Sequence, residues 1–263
     1  MTWPPTTASG PWLKAFCAVS LFSIAGLVLS HAFGVNPGSI PTLASILVLA
    51  TGAAYIHTLI RSVRITLACS LVAIAAEGIG VRTGLPFGQY EYTGAWVPSI
   101  QLGTSTFPLL VPLAWLLIVG LSWQAAKLLS KGWQLVLLSG LIAALMDAPM
   151  EDIMVHVFHY WRWSHPGPIF GAPILNSAGW FAVSCLLTYM LELSPMARVD
   201  SAALLALAHY AGLMTVTSFL NGTRSWPLWL LYTLIACLVF VSLRNRAHIR
   251  DPLKRSEVNN ARI

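Results

Sequence analysis

Charge is what this chain has least of. Only 9% of its 263 residues are Asp, Glu, Lys or Arg, against about 25% in an average soluble domain, which excludes a large water-facing domain. Cysteine is as sparse. Cys17, Cys69, Cys185 and Cys237 each sit inside an apolar run, far from one another in sequence. That pattern excludes a disulfide framework and a Cys-x-x-Cys metal or redox site, and leaves thiols packed in a core. The chain also lacks a glycine-rich phosphate loop, an internal repeat, a low-complexity tract and a linker. Nucleotide-binding and tandem-domain architectures drop out with them.

What the chain does have is apolar length: 57% hydrophobic residues and a mean hydropathy of +0.72. A helix crosses the hydrocarbon core with about 20 apolar residues. Runs of that size, bounded by Gly, Pro and basic residues, predict spans at 12–33, 40–60, 64–81, 107–129, 133–156, 176–194, 199–221 and 226–243. The expected fold is an all-α polytopic membrane helix bundle of about eight helices. Residues 1–263 form one integral-membrane domain with a basic polar tail at 244–263. Met1 to Pro11 carries three prolines and no basic n-region, so the first run is expected to remain as a span and not to be cleaved as a signal peptide.

The net charge of +6 is distributed by side. Lys14, Arg61, Arg64, Lys127, Lys131, Arg198 and the tail residues Arg244, Arg246, Arg250, Lys254, Arg255 and Arg262 fall on one side of this arrangement; only Arg82, Arg162 and Arg224 fall on the other. By the positive-inside rule both termini are cytoplasmic and the long loops 82–106 and 157–175 face outward. The tail reads as a topogenic signal beside anionic lipid, with no nucleic acid as partner. The expected location is a bacterial cytoplasmic membrane. Glu192 and Asp200, flanking Arg198, read as surface neighbours.

Against this background the few buried acids stand out, since an ionisable group near the centre of a span costs about 2.5–3.5 kcal/mol. Glu77 ends a small and polar stripe with Thr66, Ser70 and Ala73, a face suited to other helices and not to lipid. Its structural reading is an anchor for Arg82 or for a tyrosine hydroxyl; its functional reading is a site acid. Gly84, Pro86 and Gly88 then set up turns, and Phe87, Tyr90 and Tyr92 supply rings that form either an interfacial belt or the lid of a site.

The fifth span ends in Asp147, Glu151 and Asp152, followed by His156 and His159. Asp147 and Glu151 share a face; Asp152, His156 and His159 form the adjacent stripe. Pro149 frees the carbonyl of Leu145 and is expected to kink the helix. Carboxylates and histidines are metal ligands, but the ligand-like spacings occur once each with no second histidine box, so no metal is expected. Proton transfer fits better, because low dielectric favours the neutral carboxyl and lets one member of a pair keep its proton. Asn176 reads either as a helix cap or as a group orienting water or substrate; Trp161, Trp163 and Trp180 flank it. The seventh span adds His209 and a face of Tyr210, Met214, Thr217 and Asn221. His209 is either a hydrogen-bonded core residue or a catalytic one. Glu77, Asp147, Glu151, Asn176 and Asn221 lie at one depth, as a single site would require.

EGIGVRTGLPFGQYEYT, YWRW and GPIFGAPILNSAGW together resemble the integral-membrane carotenoid biosynthesis proteins of the CruF type. The resemblance covers the two long loops and their helices and points to Glu77, Gly84, Pro86, Phe87, Gly88 and Tyr90, then to Trp161, Trp163, Gly171, Pro173, Asn176, Gly179 and Trp180. The acidic segment departs from the family pattern: in DAPMED, Asp152 aligns with a paired Asp whose following proline is Ile153 here, and Asp147 is one position out of register.

The resemblance implies a cofactor-independent carotenoid hydratase, which adds water to the terminal carbon–carbon double bond of an acyclic end group. Expected substrates are long-chain carotenoids of the gamma-carotene, lycopene or bacterioruberin-precursor type, with the lipid bilayer and other carotenoid enzymes as surroundings. The acid is expected among Asp147, Glu151 and Asp152, with Glu77 handling water and Tyr90, Tyr92, Trp161 and Trp163 facing the cation. End-group cyclisation is the alternative reaction, and a transporter or structural subunit the non-enzymatic one.

Overall fold

Prolines mark where several helices begin. With no N–H to leave unpaired, Pro11, Pro41 and Pro112 sit in the first turns of their helices. The fold is known from a computed structural model that describes residues 10–36, 38–103 and 105–249. Among them are eight helices long and apolar enough to cross a membrane: α1 (Pro11–Phe33), α2 (Ile40–Ile60), α3 (Val63–Thr83), α4 (Val111–Leu129), α5 (Gly132–His156), α6 (Ile174–Glu192), α7 (Ala203–Leu220) and α8 (Trp226–Ile249). This is the expected all-α bundle. The stretch before Gly10 and the tail residues Arg250, Lys254, Arg255 and Arg262 lie outside the described residues.

Three span boundaries differ from expectation by four residues or more; α8 runs on to Ile249, so the first residues of the expected tail are helical. Phe107 and Pro108 belong to a strand, and α4 begins only at Val111. Val199 to Ala202 is a turn held by Asp200, whose carboxylate accepts the Ala202 N–H at 2.9 Å, so α7 starts at Ala203. At these two helix starts polar backbone business at the bundle end overrides apolar composition.

α4 is the most enclosed helix, buried continuously from Trp115 to Ala126, with Ser122 and Gln124 the polar residues in that stretch. α2, α3, α5, α6 and α7 pack around it, and α8 is the most exposed. Of the cysteines only Cys69 is fully buried; Cys237 lies exposed on α8, not in a core, and all four are unpaired.

Four short strands, not foreseen from the sequence, order the long loops: β1 (Tyr90–Tyr92), β2 (Ser99–Leu102), β3 (Ser105–Pro108) and β4 (Trp161–Trp163). β2 and β3 form a hairpin, while β1 pairs antiparallel with β4 across the two loops, Tyr90 opposite Trp163 and Tyr92 opposite Trp161. Successive side chains on a strand point to opposite faces. Tyr90, Tyr92 and Trp161 therefore turn inward and are buried, while Glu91 and Arg162 turn outward and pair at 2.9 Å.

At the other end, Glu192 and Asp200 do more than flank Arg198. Glu192 accepts the Trp123 indole N–H at 2.6 Å and pairs with Lys127. Asp200 accepts the Tyr55 hydroxyl at 3.1 Å, and Gln124 donates to the Arg198 carbonyl at 2.9 Å. Together they tie the α6–α7 connection to α2 and α4.

Helix α5 runs unbroken through Pro149. The carbonyl of Leu145 that the proline leaves without its helical donor is taken up by the Tyr232 hydroxyl of α8 at 2.9 Å, and the Trp229 indole donates to the Pro149 carbonyl at 3.3 Å. Tyr232→Phe is expected to lower stability by about 0.5–1.5 kcal/mol. Pro149→Ala, by returning an N–H to the helix, should shrink that cost. A double-mutant cycle on thermal unfolding in detergent measures both, and equal costs in the two backgrounds would dissociate the hydroxyl from the carbonyl.

Candidate active site

A cavity of about 470 Å³ lies at the loop-bearing end of the bundle, and Glu77, Asp147 and Glu151 line it. All three are buried, at 7%, 0% and 1% exposure. A buried carboxylate is tolerated only when donors replace lost water, and the donors here come from elements that the fold delivers separately.

Glu77, on α3, receives three. The Trp115 indole of α4 donates to Oε1 at 2.8 Å, the Tyr92 hydroxyl to Oε2 at 3.0 Å, and the Tyr90 hydroxyl also bonds Oε2. Of its two candidate anchors, the tyrosines hold and Arg82 does not. Burial, then the charge of Glu77, pushes both phenols well above the ordinary tyrosine value, so Tyr90 and Tyr92 remain O–H donors.

Glu151, on α5, receives three as well. The Trp161 and Trp163 indoles donate to Oε2 at 3.0 and 2.8 Å, and the Asn176 amide to Oε1 at 3.0 Å. The same amide nitrogen donates to Asp147 Oδ2 at 2.7 Å. Of the two readings of Asn176, the helix cap is excluded and the place in the site remains, since it lines the cavity. Pro173 is the N-cap of α6, and Asn176 one turn later bridges two carboxyl groups. Asp147 differs from its neighbours: its Oδ1 is fully buried and has no hydrogen-bond partner among the described residues.

Aromatic rings close the site. Trp115 and Trp180 stack at 3.8 Å between centroids, 12° from parallel. Phe87 packs against Trp115, and Tyr90 against Trp163. The close fit of loop and helix depends on a missing side chain: a Cβ at Gly179 on α6 would lie 2.6 Å from the Pro86 carbonyl oxygen and 2.7 Å from the Phe87 ring.

Of the residues singled out from sequence, Glu77, Phe87, Tyr90, Tyr92, Asp147, Glu151, Trp161, Trp163, Asn176, Trp180 and Tyr210 all line the cavity. Asp152, His209 and Asn221 are not brought to it. Asp152 sits on the other face of α5, accepting the Ser225 N–H at 2.8 Å and facing His156 at 3.3 Å. His209 bonds the Leu205 carbonyl one turn back at 2.8 Å. Asn221 ends α7 and donates to the Thr217 carbonyl at 2.8 Å. Trp115, Trp96 and Tyr160 also line the cavity and were missed from the sequence. Trp115 lies in an apolar run, where an aromatic carries no signal of its own; Trp96 lies in a loop between motifs, and Tyr160 opens the YWRW motif without having been singled out from it.

Residues 38–243 match a family described as "Carotenoid biosynthesis protein". The chain belongs to the carotenoid biosynthesis protein family. No curated protein sequence and no solved structure matches it. The matched stretch takes in α2 through α7, most of α8 and both long loops, so every carboxyl group of the cavity belongs to the part shared with the carotenoid family.

Gly179→Ala should destabilise by about 1–3 kcal/mol, the usual cost of overpacking, because the neighbour at closest approach is backbone. Thermal unfolding in detergent tests this, and an unchanged midpoint would mean that the Pro86–Phe87 turn moves freely.

Proposed function

We propose that this protein is a carotenoid hydratase of the CruF type, adding water to the terminal double bond of an acyclic end group to give a tertiary alcohol. The observation that carries the reading is the contrast among three carboxyl groups on one cavity wall: Glu77 and Glu151 each accept three hydrogen bonds, while Asp147 accepts one at Oδ2 and, among the described residues, none at Oδ1. Donors favour the carboxylate form, so the proton belongs on Asp147.

Asp147 delivers that proton to the less substituted alkene carbon. The π pair becomes the new C–H bond and leaves a tertiary cation. The ring faces of Tyr90, Tyr92, Trp161 and Trp163 hold the cation, each by about 0.5–2 kcal/mol. Water captures it, and Glu77 takes the water's spare proton at Oε1, where one acceptor position is still open beside Trp115. Return of that proton to Asp147 closes the cycle, and the net change is the addition of one water. Phe87, Asn176, Trp180 and Tyr210 shape the pocket. Asp152, His209 and Asn221 serve the fold and not the reaction. The resemblance had placed Asp152 opposite a family acid, but the wall of the cavity favours Asp147.

The chain works as a single domain in a bacterial cytoplasmic membrane, both ends inside, with the site toward the outer leaflet. Expressed in a bacterium that makes lycopene or gamma-carotene, it should yield pigment heavier by one water in mass spectrometry. Asp147→Asn and Glu77→Gln should each fold and lower conversion by about 10²-fold or more. Full conversion by Asp147→Asn would remove it as the acid. A product of unchanged mass with a closed ring would replace hydration by cyclisation.

A further inference from the structure

The cavity is not confined to the carboxyl groups. Its far wall is one stripe of α1, with Phe22, Gly26, Ser30 and Phe33, facing one stripe of α2, with Ala44 and Val48. It continues to the α1–α2 turn, where Phe33, Val35 and Ile40 are 75%, 59% and 55% exposed.

Its hydroxyls are spent within their own helices. Ser23 donates to the Val19 carbonyl at 2.8 Å, Ser30 to Leu27 at 3.1 Å and Ser45 to Thr42 at 2.8 Å. The wall therefore offers an occupant mainly apolar contact, with the hydroxyl protons of these serines already committed. From Phe22 to Phe33 it rises about 16 Å at 1.5 Å per residue. A carotenoid is roughly as long as the hydrocarbon core is thick, about 30 Å.

We infer that the α1–α2 groove is the polyene channel: a carotenoid enters end first through the mouth at Phe33 to Ile40, lays about half its chain between these helices, and leaves the other half in the bilayer. The inference rests on the proposed site in placing the reacting end group at Asp147. It also goes beyond that site. α1 precedes the family-matched residues, so the α1 side of this groove comes from a part of the chain that the match does not cover, while the α2 side lies within it. One channel admits one end at a time, so a substrate altered at both ends must withdraw and re-enter reversed.

Gly26 is the place to test it. Phe22, Ser23, Leu29 and Ser30, the residues four and three positions to either side, all line the cavity, and a Cβ at Gly26 meets nothing within 4 Å. A larger side chain can therefore plug the channel without displacing a neighbour. The full-length protein and its variants are purified in detergent from a lycopene-producing bacterium, and bound pigment is measured per protein by absorbance. Gly26→Phe should hold about tenfold less pigment, as should Ala44→Phe on the facing wall. Ala25→Phe, exposed and off the lining, should match the unsubstituted protein. Asp147→Asn should retain lycopene unaltered. Full pigment in folded Gly26→Phe and Ala44→Phe overturns the channel. Pigment that is lost on plugging, yet never gains the mass of water, keeps the channel and removes the hydratase reading.

Discussion

Three carboxyl groups in an apolar bundle must find donors or become neutral, and the loop-bearing end of this protein is built around that requirement. Six donor bonds reach Glu77 and Glu151 from α4, α6 and both long loops. Each is charge-assisted if the carboxyl is ionised, and such bonds are stronger than neutral ones. The loops are consequently part of the site and not a cover over it. Pairing β1 with β4 sets Tyr90 and Tyr92 over Glu77 while setting Trp161 and Trp163 over Glu151. One strand pair thus serves two acids.

That arrangement depends on the helices below. α4 brings Trp115 to Glu77 and stacks it on Trp180 of α6, so the cradle of one acid is packed against the helix that carries Asn176. α6 in turn approaches the Pro86–Phe87 turn so closely at Gly179 that only a hydrogen fits. Displacing one partner disturbs the others, which makes the site a rigid frame for groups whose chemistry depends on who holds a proton.

The spans were legible because hydrocarbon thickness imposes a length on any helix that crosses it. The acids were legible because each is costly in such a setting, and Glu77, Asp147 and Glu151 do meet. Which side of α5 faces the cavity was not. Glu151 and Asp152 are adjacent, about 100° apart around a helix, and only packing decides that one looks inward and the other toward Ser225. YEY and WRW alternate as strands should, yet three residues are too few to separate a strand from a loop by pattern. The α1–α2 wall was invisible for a different reason: an apolar stripe in an apolar chain has no contrast, whether it meets lipid or lines a channel.

The ties between α5 and α8 bear on the order in which the protein can be made. Asp152 takes the N–H of Ser225 just before α8, and Tyr232 and Trp229 on α8 reach the carbonyls of Leu145 and Pro149. Synthesis runs from the N-terminus, so α5 enters the membrane with the Leu145 carbonyl bare and the Asp152 carboxyl facing only His156, before their partners at α8 have been translated. The helix that carries Asp147 and Glu151 is complete only when the last helix arrives. The most exposed helix of the bundle therefore acts as its final fastening, and a ribosome that stops before it releases a chain whose central acids are set but not secured.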